Sequence, residues 1–190
     1  MSETTLKTAV IGMSELIGRY RFAGDIFELC AACPIFAKNW SCPPFEFDVD
    51  EFLGRFNHVY LFGIKMTHDE TTRAAMDTKE KSEDYAFRLM EGVNLKMLAI
   101  LHDLERKYPG SRGASGGSCR ICGVCARVDS MPCRFPDKMR NSIESLGFNV
   151  SMISDELLGL KILWFKDALP PYQVLVNALF TNERRDEIIY

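Results

Sequence analysis

The chain has no uninterrupted apolar run approaching the ~20 residues that a membrane-spanning helix needs. Nor does it have a basic run. Its 23 Lys and Arg are mixed along the chain with 26 Asp and Glu, giving a formal charge of −3, whereas a nucleic-acid binder carries a basic stripe. Nucleic acid is therefore not expected as a partner, and neither is a membrane. The first residues, MSETTLKTAVIGMSEL, lack the basic start and apolar stretch of a secretory leader, so a cytoplasmic location is expected. There are no internal repeats and no low-complexity tracts. The one glycine-rich stretch, GASGG at 113–117, lacks both the Lys-Ser/Thr of a phosphate-binding loop and the spacing of a dinucleotide fingerprint.

What the chain does have is cysteine. It holds seven, an odd number that disulfides cannot pair completely. Cross-links are not needed either, because 190 residues at 47% apolar content can bury a core unaided. In a reducing compartment, clustered thiols are more often metal ligands than bridges. The length suits a single domain over 1–190, with cysteine-rich segments at 30–45 and 111–136.

The pattern along the chain predicts an α+β fold: a mainly antiparallel sheet, one long helix and two cysteine-rich metal-binding loops. Residues 4–12 read as a short strand or a helix start. Leu16, Ile17, Tyr20 and Phe27 recur at roughly helical spacing over 14–29, with Ser14 as a possible N-cap. Asp48 is placed to cap a short helix, and HVYLFGIKM at 58–66 reads as a buried strand. Tyr85, Leu89, Val93, Met97, Leu101, Leu104 and Tyr108 mark one face of a helix over 79–108, ended by YPG. A short helix is predicted at 138–146, ending at Gly147, and another near 154–159. KILWFKDALPPYQVLVNALF reads as two strands joined at Pro170-Pro171, pairing with the strand at 58–66.

The second cysteine segment carries the strongest signal. Cys119, Cys122 and Cys125 step by three, and Cys133 follows before Arg134-Phe135-Pro136. Bacterial ferredoxin runs use consecutive C-x2-C steps with a proline beside the last cysteine, because a tight loop can reach three corners of a [4Fe–4S] cubane while the fourth ligand arrives from elsewhere. Zinc more often takes two C-x2-C pairs from separate turns. Zinc stays open as the alternative metal. Arg120, Arg127 and Arg134 surround the segment, where guanidinium charge would stabilise an anionic cluster, unless they are ordinary surface arginines.

Cys30, Cys33 and Cys42 form an incomplete set of three in a Pro-rich loop. Two arrangements fit: a second cluster with one iron open to substrate, or a non-cysteine fourth ligand, with His58, His68 and Asp69 as candidates. A structural zinc and free thiols are the bland readings, and an exchange of ligands between the two segments, as in two-cluster ferredoxins, stays open. Lys38 and Trp40 lie inside this loop, and Trp40 reads as packing.

The stretches CAACPIFAKNWSCPP, CRICGVCARVDSMPCRFP and SIESLGFNV together resemble a widespread prokaryotic family of predicted metal-binding proteins of unknown function. The shared pattern falls on Cys30, Cys33, Pro34, Trp40, Cys42, Pro43, Pro44, Cys119, Cys122, Cys125, Pro132, Cys133, Arg134, Pro136, Ser142, Glu144 and Gly147, and the resemblance covers residues 25 to 180. It implies metal binding, of the iron–sulfur kind, and names no reaction. Read from the residues alone, Ser142 caps the short helix, Glu144 faces its dipole or an arginine, and Gly147 ends it. Three functions remain open: an oxygen-sensitive [4Fe–4S] protein with one or two clusters in electron transfer or cluster-based redox chemistry, with a redox partner protein; an enzyme binding a small-molecule substrate, as in sulfur transfer or desulfuration, at an open iron; and a zinc-stabilised interaction module.

Overall fold

The computed structural model describes residues 3–22, 24 and 26–184, with nothing stated for the side chains of Ile26 and Phe27. Phe27, predicted on a helix face, thus lies outside the described side chains. The fold is α+β, as the sequence predicts. Four strands form one antiparallel sheet in the order β1-β2-β4-β3: β1 is Glu3–Gly12, β2 His58–Thr67, β3 Arg112–Ala114 and β4 Tyr172–Thr181.

β2 and β4 lie at the centre and are apolar on both faces. Successive side chains on a strand point to opposite sides. Val59, Leu61, Val176 and Phe180 therefore enter one core, while Tyr60, Phe62, Ile64, Leu175 and Leu179 enter the other. The first core is closed by α1 (Met13–Tyr20), by α3 (Val49–Leu53) and by residues 143–162. The second is closed by the long helix α5 (Lys79–Lys107), which presents Met97, Leu101 and Leu104. α5 starts at Thr78, whose hydroxyl accepts from Lys81 N–H at 3.2 Å. A shorter helix, α4 (Glu70–Ala75), precedes it. Among the described residues no helix is long and apolar enough to cross a membrane.

Several predicted boundaries differ. The helix expected over 14–29 is two pieces, α1 and α2 (Ile26–Ala31). Arg21 leaves α1 in extended conformation and bridges to Phe148, while Phe22 N–H donates to Gly147 O at 3.0 Å. The N-cap is Gly12, and Ser14 sits inside the helix without a capping role. Asp48 caps α3 as predicted, accepting from Glu51 N–H at 2.8 Å.

No helix forms over 138–146. Ser142 Oγ accepts from Ser145 N–H at 3.0 Å, and Ser145 Oγ donates at 2.7 Å to Ser142 O and at 2.9 Å to Ser41 O. These side chains compete with the helical ladder and leave a run of turns. Gly147 ends that run at φ +94°, where a side chain would be strained. The helix near 154–159 starts earlier, as α6 (Val150–Met152), capped by Asn149 and continued by one wide turn at Ile153–Leu157.

The predicted terminal hairpin is a single strand, β4. Residues 161–171 carry no strand pairing. Leu160 and Ile162 instead pack side-on against the sheet, and Gly63 makes room for this: a Cβ there would stand 2.9 Å from Leu158 and Leu160.

Candidate metal centre

The second cysteine segment leaves the sheet at β3 through a clamped backbone. Gly116 N–H donates to the buried Asn177 Oδ1 at 2.9 Å, and Gly116 O accepts from the Asn94 amide. A Cβ at Gly116 would meet Leu175 at 2.5 Å and the Val176 carbonyl at 2.7 Å. Gly116→Ala is therefore expected to destabilise the protein by about 1–3 kcal/mol through overpacking, read as a lowered melting temperature. Unchanged melting would show that this backbone shifts freely. Gly117 follows at φ +67° and donates to the Glu144 carboxylate at 3.3 Å.

Beyond this point the chain curls on itself. Cys119, Cys122, Cys125 and Cys133 line one cavity, walled also by Asn39, Trp40 and Phe135. Val128 N–H donates to Cys125 O at 3.1 Å, and Arg134 Nη1 donates to Val124 O at 2.9 Å, holding the curl. All four thiols are free and partly exposed. Burial pushes the Cys119 thiol above its ordinary value, and the neighbouring Cys133, Cys122 and Cys125 add to this.

The first segment is a chain of tight turns that starts in α2. Cys33 N–H donates to Cys30 O at 2.9 Å, Phe36 N–H to Cys33 O at 3.0 Å and Cys42 N–H to Asn39 O at 3.0 Å. Cys33 is exposed, Cys30 partly so and Cys42 buried. Burial pushes the Cys42 thiol up to about 11; the Ser41 hydroxyl works against that, while Cys33, Cys30 and Glu144 add to it. The thiols thus fall into two neighbourhoods, Cys30/Cys33/Cys42 and Cys119/Cys122/Cys125/Cys133. Among the described residues no three His, Cys, Asp or Glu side chains are drawn together as a ready-made single-ion site.

The two segments are sewn to each other. The fully buried Ser41 Oγ accepts from Cys119 N–H at 2.8 Å and bonds to Asn39 Oδ1 at 2.9 Å. Asn39 Nδ2 donates to Cys119 O at 3.0 Å. Arg127 reaches across to Asn39 O at 3.0 Å, Cys42 O at 2.7 Å and Pro44 O at 2.5 Å, with its guanidinium 4.6 Å from the Trp40 ring centre. Trp40 itself donates to Met131 O at 3.0 Å, a packing role; Lys38 is exposed. Of the three arginines near the thiols, Arg127 and Arg134 are engaged with backbone carbonyls. Arg120 lies over Phe87 instead, 4.5 Å from the ring centre.

His58, His68 and Asp69 have their contacts elsewhere. His58 opens β2 opposite Gly12 and Thr181, His68 packs edge-on to Tyr85 at 5.6 Å, and Asp69 caps α4 through Thr72 N–H at 2.7 Å. The carboxylate that neighbours Cys30 and Cys42 is Glu144. Its carboxyl is pushed above the usual carboxylate range by burial, against the pull of its own and Gly117's N–H and the Ser142 side chain. The sequence places Glu144 on a predicted short helix, facing its dipole or an arginine. Its real position depends on that helix giving way to turns.

Residues 17–176 match the family model described as predicted metal-binding protein (DUF2284). No curated protein and no solved structure matches the chain.

Proposed function

Starting from a chain that belongs to the family of predicted metal-binding proteins, we propose that it is an iron–sulfur protein working in electron transfer, with one [4Fe–4S] core on Cys119, Cys122, Cys125 and Cys133 and a second on Cys30, Cys33 and Cys42. The observation that carries this reading is the convergence of four free thiols on one cavity. The donor set fits the group: four thiolates reaching a common space from one curled loop are what a cubane takes. Such a core supplies one-electron exchange at a potential set by charge, hydrogen bonds and exposure.

The chain's own contribution is a shaped and partly open rim. Val124, Val128, Met131 and Phe135 all lie in this segment with large apolar side chains exposed. Exposed apolar groups concentrated in one place suit a docking surface. The exposed charges of the same stretch, Arg134 and Lys138 against Asp129 and Asp137, balance, so the apolar groups rather than net charge would carry the docking.

A second reading is favoured by the first cysteine group. Cys30, Cys33 and Cys42 are three thiols, not four, and the Glu144 charge acts on Cys30 and Cys42, so this site would hold a core with one position free for a substrate.

Isolation without oxygen followed by metal and sulfide analysis tests the proposal. About four irons and four acid-labile sulfides per chain for each core are expected, with broad visible absorption. A colourless protein carrying zinc and no sulfide would overturn the iron–sulfur reading and leave a zinc-stabilised interaction module.

A further inference from the structure

A cavity of about 230 Å³ lies between α5, the backbone at 116–118, β4 and the segment around 162–164. Its lining is mostly apolar, with Phe87, Met90, Ile162 and Trp164 prominent. Three charged groups line it, Glu91, Arg120 and Glu144, and none of them is in a salt bridge among the described residues. Glu144 is bonded to Gly117 N–H and meets no cation among the described residues. Arg120, also in the lining, forms no ion pair among the described residues; its guanidinium rests on the Phe87 ring. Arg120 is not part of the wall of the Cys119 cavity, so stacking on Phe87 turns it from its neighbouring thiol toward this second space.

Glu144 and Arg120 are half-buried groups of opposite charge type on one cavity wall, so each would gain a charge-assisted hydrogen bond from a ligand group of the complementary charge. One molecule can serve both. We propose that this cavity binds a small zwitterion with an apolar side chain, of the size and kind of an apolar α-amino acid: its carboxylate meets Arg120, its ammonium meets Glu144, and its side chain lies among Met90, Ile162 and Trp164. The exposed Trp164 ring stands at the mouth. The Glu144 charge also acts on Cys30 and Cys42. This assignment extends the second reading of that site, but the binding does not depend on what the thiols hold.

Calorimetric titration of the protein isolated without oxygen, with L-phenylalanine as the probe, tests it. Saturable binding at one site per chain is expected. 3-Phenylpropionate, which lacks the ammonium, and phenethylamine, which lacks the carboxylate, should each bind about tenfold or more weakly, since each forfeits one charge-assisted hydrogen bond. Arg120→Leu and Glu144→Gln should each weaken L-phenylalanine by a similar factor. Should Glu144→Gln fail to fold, Arg120→Leu and the two analogues still decide. No saturable binding at millimolar L-phenylalanine, an analogue binding as tightly as the amino acid, or folded variants that bind like the parent would each overturn the proposal. Iron and sulfide content of the same preparation tests the cluster reading separately, so the two can fail independently.

Discussion

Cys122→Ala is expected to remove the core proposed for the second cysteine segment while leaving the fold in place. Cys122 is one of four thiols on a single cavity, and a loop shaped for four anchoring thiolates leaves its core open to solvent and labile when one is taken away. Neither apolar core takes a residue from 119–133, so far-UV circular dichroism should stay close to that of the parent. With two cores in the parent, iron per chain should fall by about half. Cys42→Ala should remove the other half, because Cys42 belongs with Cys30 and Cys33. If either variant loses all of its iron, the two groups share ligands. If Cys122→Ala keeps the parent's full iron and visible spectrum, Cys122 is not a ligand.

Glu105→Ala is expected to lower stability by about 3–5 kcal/mol, the usual effect of removing one partner of a buried pair. Glu105 and Arg140 are 13% and 4% exposed and make a two-pronged contact, Arg140 Nε to Glu105 Oε1 at 2.6 Å and Nη2 to Oε2. Glu105 Oε1 also accepts from Gly113 N–H at 2.6 Å, so one carboxylate joins α5, β3 and the chain leaving Cys133. Its removal leaves a buried guanidinium without a counter-charge. For a chain of this size the melting temperature should drop by roughly 2–4 °C per kcal/mol.

The pH dependence follows from the same contact. Burial alone would raise the Glu105 pKa, but the Arg140 hydrogen bonds, the Gly113 N–H and the Arg140 and Arg112 charges outweigh it and hold it below 4.5. A carboxyl depressed in the folded state contributes stability above its unfolded value and loses it as pH falls through the folded one. The parent should therefore lose this contribution below pH 4.5, while Glu105→Ala melts with a flatter acid limb. Identical acid limbs would show that the pair does not titrate with unfolding.

Elements with a strong local period are legible in the sequence. α5 buries the face marked by Met97, Leu101 and Leu104, and β2 is apolar throughout because both of its faces are covered. The failures share a cause. The helix expected at 138–146 is undone by Ser142 and Ser145, whose hydroxyls find backbone partners that include Ser41. The strand expected before Pro170 is replaced by Leu160 and Ile162 packing into the core without a ladder. In both cases tertiary contacts override an acceptable local pattern.

The spacing of Cys119, Cys122, Cys125 and Cys133 predicts their convergence on one cavity, since a tight loop leaves them little choice. The bonds from Asn39, Ser41 and Arg127 link residues about 80 positions apart, and a side chain reaching a distant carbonyl leaves no periodic trace. Arg127 reads from sequence as a charge near thiols; in the fold it is a strap. Glu144 is hidden for the same reason, its neighbours being Cys30 and Cys42 from the far end of the chain.

The stitching around Ser41 also bears on the order of events during synthesis. Its hydroxyl waits for Cys119, and its carbonyl for Ser142 and Ser145. A nascent chain on the ribosome exposes the first three thiols long before any of these residues emerges. The amino-terminal loop can make these bonds only once residues 119–145 have emerged, so a metal bound by Cys30, Cys33 and Cys42 is expected to settle there after that point.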